Sequence, residues 1–553
     1  MVRRASALVL MTVLLTGAVP VRAESTLQVM LAAPAVTAGE AVLDRAALAA
    51  VYTPRNFAPI WTGRGQVDAL LATFNRSIVH GLNPADYHVQ EIAAARGGDP
   101  LLLDLLLSDA LMRYASDVRM GRVSPRQVKG ERFTPVQSID PVAVVAAAAS
   151  AQDLNAYLSG LAPQSAVYQG LVQALAKLRA QAALGEWPRL GDGRKIEPGN
   201  TSPRVPQLRA RLAASGELEA IHINDSQIYD EALVAAVKAY QSRSGLEPDG
   251  VVGRATIAML NVPLSQRIDQ IRANMERLRW QADDLGSRYV YVNIPAYQLV
   301  AVNNGQVDLN MRVIVGRPKR STPSFADTIR IVEFNPDWHV PPTIAREDVL
   351  PGLIEDPNWA LEHKNVRIYQ AGVEVDPHTV DWTTADIRAF RLRAEPGPRN
   401  PLGTVKFLFP NRFDVYLHDT NERHLFDKDV RAISSGCVRI EDPAAFANWL
   451  LGPDRPDWSD ERRTKILDSR RQTRLNMNTP VPVYLAYITA WLGDDGRPVF
   501  RDDIYGQDAV LIAALQQADA KSRRLVTSMV RSAGQAPDVP ADVSAEELQK
   551  AAP

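Results

Sequence analysis

The chain contains one cysteine, Cys437, in the run Ile433-Ser434-Ser435-Gly436-Cys437-Val438-Arg439-Ile440, and His418 lies nineteen positions earlier in Val415-Tyr416-Leu417-His418-Asp419-Thr420. A lone thiol forms no internal disulfide, so it is either an inert buried side chain or a nucleophile. An unperturbed thiol, with a pKa of about 8.5, is only a few per cent thiolate at neutral pH, and an imidazole nearby can take its proton. Gly436 lets the backbone approach a substrate closely, and the amides of Gly436 and Cys437 can then face a developing oxyanion. The chemistry on offer is attack by sulfur on a carbonyl. No metal is called for: His-Glu-x-x-His is absent and the eight histidines show no ligand spacing.

The elements that must hold this pair are strands. Alternation in Phe413 to His418 puts Phe413, Val415 and Leu417 on one face and Tyr416 with His418 on the other, so the imidazole is expected at a cleft. Thr404 to Phe409 is predicted to pair with Phe413 to His418 as a hairpin across Pro410-Asn411-Arg412. Upstream, Arg288 to Ile294, Gln298 to Val302 and Asp308 to Val315 read as antiparallel strands, with Asn303-Asn304-Gly305 as a hairpin turn. After the cysteine, Asp442-Pro443 caps and starts a helix over Ala444 to Leu451. That helix begins too far from the thiol for its dipole to be the main activator. Residues 341–401 interrupt the β pattern as a Pro-rich, partly helical stretch without a sheet of its own, which suggests a lid.

The rest of the chain carries no catalytic cluster. Residues 24–195 are Ala- and Leu-rich with helical spacing, as in Leu103, Leu106, Leu107, Ala110 and Leu111, and read as a helical scaffold. His80 and His88 fall in loop-like stretches of it without a functional role. A Gly- and Pro-rich break, Gly191 to Pro206, introduces a compact unit at 196–262. There Pro206 opens one helix, Asp230 caps a second that Gly245 stops, Pro248-Asp249-Gly250 makes a turn, and Arg254 to Leu260 forms a third. An amphipathic linker helix is expected within 263–288, from Ile268 to Trp280.

Lys plus Arg number 62 against 63 Asp plus Glu, so no net field points to nucleic acid or an anionic membrane. The basic start Met1-Val2-Arg3-Arg4, the apolar run Ala5 to Leu15 and the small residues before Glu24 read as a signal peptide over 1–23. The run is short of the roughly 20 apolar residues a span requires, so cleavage after Ala23 and no integral membrane protein thereafter are expected, with an uncleaved anchor as the alternative.

The His418-Asp419-Thr420 and Ser434-Ser435-Gly436-Cys437-Val438-Arg439 segments together resemble the L,D-transpeptidase (YkuD-like) signature. Ser435 stands where that family usually has a histidine before the glycine. The Ser-Ser-Gly-Cys variant, the upstream Pro396-Gly397-Pro398-Arg399-Asn400-Pro401-Leu402-Gly403 and the preceding module resemble the large YcbB-type members. The unit at 196–262, through Ala236-Val237-Lys238-Ala239-Tyr240-Gln241 and Pro248-Asp249-Gly250-Val251-Val252-Gly253, is similar to the three-helix peptidoglycan-binding module.

The resemblance implies a multidomain α+β chain. It would hold a helical scaffold domain, the peptidoglycan-binding module, the linker helix, a mainly β catalytic domain at 289–510 with a capping insertion at 341–401, and a C-terminal helix and flexible tail at 511–553. It further implies Cys437 as nucleophile, His418 as base, the Asp419 carbonyl orienting the imidazole and the Gly436 amide at the oxyanion. Tyr416, Ser435, Arg439 and Trp338 would meet the substrate, with a structural ion pair as the alternative for Arg439 and simple packing for Trp338. No cofactor is implied.

Substrates would be peptidoglycan stem peptides and glycan strands, with peptidoglycan synthases as further partners, in the periplasm. The expected reaction is cross-linking of third-position diamino acids through a cysteine thioester that carbapenems also form. Hydrolysis as an L,D-carboxypeptidase, attachment of a wall protein, and non-catalytic wall binding stay open as alternatives.

Overall fold

The computed structural model describes residues 26–39, 41–132 and 139–519. The signal expected over 1–23 and most of the C-terminal tail lie outside the described residues. Among them no helix is long and apolar enough to cross a membrane.

The N-terminal third is helical and is built around Pro100–Met120. Asp99 caps this helix and Pro100 takes its first turn, where the missing N–H costs nothing. Its middle is buried on every side, from Asp104 to Met112. Asp104 is tolerated there because it accepts the Ile60 and Trp61 amides and the Tyr52 hydroxyl. His88 and His80 are likewise packing residues: His88 Nε2 pairs with the buried Asp109 carboxylate at 2.7 Å, and His80 stacks on Tyr168.

The compact second unit forms as its punctuation predicts. Helix Val205–Ala214 carries Pro206 in its first turn. The Asp230 carboxylate accepts the Leu233 amide at the start of Glu231–Ser244, which Gly245 ends in the left-handed region at φ 74°. Arg254–Leu260 closes the unit. The three pack around Leu208, Leu212, Leu233, Val237 and Leu260.

The expected linker helix is a core element instead. It runs over Leu264–Arg279, and eleven of its sixteen residues are buried. Its apolar side joins the scaffold core, while its polar side is satisfied by partners from distant parts of the chain. Glu276 accepts the Arg122 and Val123 amides, Asn274 bonds Thr489 in both directions, and Arg277 pairs with Glu131 and Asp508. Buried charges persist only with such partners.

The catalytic-candidate domain is a nine-stranded mixed sheet. Its order is Ala432–Ser434, Gln306–Gly316, Val438–Ile440, Leu417–His418, Val405–Leu408, Phe325–Phe334, Thr473–Ala486, Arg288–Asn293 and Gln298–Asn303. The last strand pairs back onto Gln306–Gly316, so the sheet closes around a core that includes Val290, Leu299, Val313, Phe407, Leu417 and Val438. The three N-terminal strands are antiparallel as predicted. The predicted hairpin shrinks: only Leu417–His418 is a strand, because Asp414 adopts φ 53° and breaks the extended run. The predicted faces survive that break. Val415 and Leu417 enter the core, and the Tyr416 and His418 rings meet at 5.5 Å on the other side.

Residues 341–401 do have a sheet of their own, contrary to the loop reading. Strands Trp338–His339, Arg391–Ala394, Val366–Gln370 and Val373–Glu374 pair antiparallel, and with Leu350–Glu355 and Trp359–Lys364 they enclose a separate core that includes Val349, Leu353, Ile368, Trp382 and Leu392. Prolines and short helices hid strands of two to five residues. Residues 490–500 leave the closed sheet, although they fall within the range expected for the catalytic domain. They form a two-stranded pair that packs on the scaffold helix Ala166–Ala182. A last helix covers 507–519.

Candidate active site

Sheet register brings the cysteine and histidine segments together. Leu417–His418 and Val438–Ile440 are parallel, with Leu417 opposite Val438 and His418 opposite Arg439. The Val438 amide donates to the Tyr416 carbonyl at 3.1 Å, which places Cys437 beside Tyr416.

His418 is buried, and its Nδ1 lies 2.5 Å from the Asp419 carbonyl. A carbonyl only accepts, so Nδ1 carries the proton and Nε2 is left as the basic nitrogen. The Asp419 side chain fixes this carbonyl. Its carboxylate accepts the Thr404 amide and hydroxyl at 2.8 Å each and pairs with Arg423. Gly403 completes the seat: at φ 62°, a Cβ there would overlap the Asp419 carboxylate. Burial, then the Arg439 and Lys406 charges, hold the His418 pKa down to about 3. The imidazole is therefore neutral at rest.

Cys437 is half-buried. Its thiol contacts the Asp414 carbonyl at 3.6 Å. Burial pushes the thiol pKa up, while hydrogen bonds from Tyr416 and the charge of Lys406 pull it back. The resting pair is thus thiol and imidazole rather than the ion pair that a directly bonded histidine would hold.

The turn carrying Cys437 is clamped. Ser434 Oγ donates to the Cys437 carbonyl at 2.6 Å, and Thr322 Oγ1 donates to the Gly436 carbonyl at 2.7 Å. The Gly436 amide, expected at the oxyanion, donates instead to Ser434 Oγ at 3.1 Å. The Cys437 amide takes no hydrogen-bond partner among the described residues and is the backbone donor left for that role. Gly436 sits at φ 121°, a conformation L side chains rarely adopt.

The remaining expected residues divide. Tyr416 adjoins the thiol, and burial followed by the neighbouring Cys437 raises its phenol well above the usual range. Arg439 pairs with Glu422 at 2.7 Å, so it serves structurally and through its charge on His418. Ser435 Oγ is taken by Arg320 at 3.0 Å. Trp338 is buried in the cap core, the packing role expected as its alternative, and Tyr416 packs against that core.

Lys406 was not singled out in the sequence. It lies opposite His418 in register, its Nζ stands 4.1 Å from the Tyr416 ring centroid, and no carboxylate approaches it to ion-pair distance among the described residues. Strand alternation in Thr404 to Phe409 marks Lys406 as the charged member of the outward face, but only the register reveals what it faces. Thr322 was missed because it lies more than a hundred residues before the turn it clamps. Among the described residues no group of His, Cys, Asp and Glu could hold a metal.

Comparison with known proteins follows this division. Family models match a scaffold domain at residues 46–175, a "Putative peptidoglycan binding domain" at 201–260 and an L,D-transpeptidase catalytic domain (YkuD) at 287–483. A curated "Putative L,D-transpeptidase" of Haemophilus influenzae is 37% identical over 240 residues, 43% of this chain and 48% of that protein. The match thus spans about half the length of that relative. A solved L,D-transpeptidase of Xylanimonas cellulosilytica is 16% identical, covering 54% of this chain and 99% of its own at a TM-score of 0.18. One of Stackebrandtia nassauensis is 14% identical, covering 54% and 96% at a TM-score of 0.19. At such TM-scores neither overlay bears on the geometry.

Proposed function

We propose that this chain, which carries an L,D-transpeptidase catalytic domain beside a peptidoglycan-binding domain and a scaffold domain, cross-links peptidoglycan stem peptides through a thioester on Cys437. The observation that carries the mechanism is the bond between His418 Nδ1 and the Asp419 carbonyl, which directs the basic Nε2 away from the backbone. The Cys437 thiol turns from the Asp414 carbonyl and gives its proton to Nε2. The thiolate attacks the carbonyl of the third-position diamino acid, and the oxyanion forms against the Cys437 amide. Collapse of the adduct breaks the amide bond to the terminal D-Ala, whose amine leaves with the proton from His418. A side-chain amine of a neighbouring stem then attacks the thioester, its proton passes to His418, and the Cys437 thiol is restored.

The cap supports acyl transfer over hydrolysis. It is tied to the nucleophile turn by Arg320, which bonds Ser435 and pairs with Asp348 and Glu347 from the cap. A substrate held beneath it loses access to water. On this reading the protein works in the periplasm, where its polymer lies, and its binding module holds glycan strands near the cleft.

Muropeptide analysis of sacculi incubated with the protein tests the reading. Cross-links between two third-position residues are expected with the parent and none with Cys437→Ala, and intact-mass measurement should show a carbapenem adduct only on the parent. A cross-linking Cys437→Ala protein would sink the mechanism.

A further inference from the structure

A cavity that shares no lining residue with the Cys437 site lies where the scaffold helix Ala166–Ala182, the peptidoglycan-binding domain and the strand pair of residues 490–500 meet. Its volume is about 200 Å³. That is room for several waters, at about 30 Å³ each, or for one ligand the size of an amino acid.

The lining is unusual in what it leaves unpaired. Arg211 Nη1, Trp187 Nε1, Glu217 Oε2 and Gln181 Oε1 are all buried, all on residues lining this cavity, and all without a hydrogen-bond partner among the described residues. Arg211 is 1% exposed. Its Nε donates to the Leu260 carbonyl and its guanidinium lies 4.1 Å over the Trp187 ring, so it is held in place with one edge unspent. Burial lowers its pKa, as it does for Arg267 on the same wall, and neither has a carboxylate within ion-pair distance among the described residues. Glu217 is partly neutralised by Arg243, which leaves Oε2 as an acceptor. Unpartnered buried polar atoms each cost on the order of 1–3 kcal/mol, more when charged, and four of them on residues around one cavity are explained by an occupant that satisfies them together.

We infer that this cavity binds an α-amino carboxylate, its carboxylate on Arg211 and Trp187 and its N–H donors on Glu217 and Gln181. The two donors match an anionic group and the two acceptors match an ammonium or amide N–H. Free amino acids and the C-terminal residue of a peptide share this chemistry. The inference stands apart from the reaction proposed at Cys437, since its test reads binding alone.

Calorimetric titration of the full chain tests it with D-alanine, L-alanine, D-alaninamide and a tripeptide ending in D-alanine. Binding of an alanine or of the tripeptide is expected, whichever is tighter naming the source, with at least tenfold loss for D-alaninamide. Arg211→Met should abolish binding and Trp187→Phe, which removes the indole donor and narrows the ring beneath Arg211, should weaken it several-fold, while carbapenem acylation of Cys437 is unchanged. Should Arg211→Met fail to fold, Trp187→Phe decides. No binding by any probe, or binding indifferent to the carboxylate or to Trp187→Phe, overturns the inference and leaves a water-filled cavity.

Discussion

Lys406 Nζ stands 4.1 Å from the centre of the Tyr416 ring, and Tyr416 in turn hydrogen-bonds the Cys437 thiol. The cation is therefore held near the thiol by an aromatic face rather than by a carboxylate, which keeps its charge unspent. Removing it should make the thiolate harder to form. In Lys406→Met the midpoint of Cys437 alkylation against pH should rise by about one unit, the scale of a nearby opposite charge. An unmoved midpoint would show that the ammonium does not act on sulfur.

The histidine makes an opposite kind of pH prediction. Its folded pKa of about 3, from burial and then Arg439 and Lys406, lies below the ordinary 6.5, and buried His80 is likewise lowered to about 4. The unfolded chain thus binds more protons between these values. The stability both residues contribute is whole above about pH 6.5 and drains away as pH falls toward 4 and then 3. Denaturant midpoints measured from pH 7 to 4 should fall, and His418→Gln with His80→Gln should flatten that fall. Acylation by the parent should show no acid limb near 6.5, because the imidazole stays neutral there.

Gly403 offers a test of the Asp419 seat. Gly403→Ala combines a left-handed φ of 62° with overlap on the Asp419 carboxylate. It should cost about 2 kcal/mol or more in denaturant unfolding and lower acylation sharply. Gly372→Ala, at φ 88° with open space around it in the cap hairpin, carries the strain without the overlap and should cost about 1 kcal/mol with acylation intact. Equal losses in both would remove the overlap argument.

The cap can be loosened without cutting it. Asp348 pairs with both Arg317 and Arg320. Asp348→Asn should raise the ratio of D-Ala released to dimer formed, since water then competes better for the thioester. A ratio and rate equal to the parent would mean that the cap does not guard the acyl-enzyme.

What the sequence makes legible follows the range of the interactions. Asp230, Gly245 and Asp442 act within a few residues, so caps and stops are readable, and so is the alternation that puts Tyr416 and His418 on one face. The return of Gln298–Asn303 onto Gln306–Gly316 is readable from its Asn303-Asn304-Gly305 turn, whereas the parallel pairing of Leu417 with Val438 is not, because it depends on contacts between segments that no turn joins directly. The linker reading of Leu264–Arg279 fails for the same reason. Its charges look solvated until Glu131 and Asp508, more than a hundred residues away on either side, meet Arg277. The partners of Ser435 and the Gly436 amide are not readable either, because Arg320 comes from a segment more than a hundred residues away and the Ser434 bond depends on the fold of the turn.

The order in which the chain is made gives the bridging segment after residue 486 a further meaning. Strand Thr473–Ala486 lies parallel to Arg288–Asn293, and Thr489 and Asp508 then reach back to Asn274 and Arg277 on the central helix. A nascent chain that has emerged only as far as Cys437 has the thiol but not strand Thr473–Ala486, nor Asp508, the second carboxylate on Arg277. Closure of the sheet and completion of the Arg277 pairing must wait for residues 473–508. A chain interrupted before Asp508 therefore lacks contacts that join the sheet to the central helix.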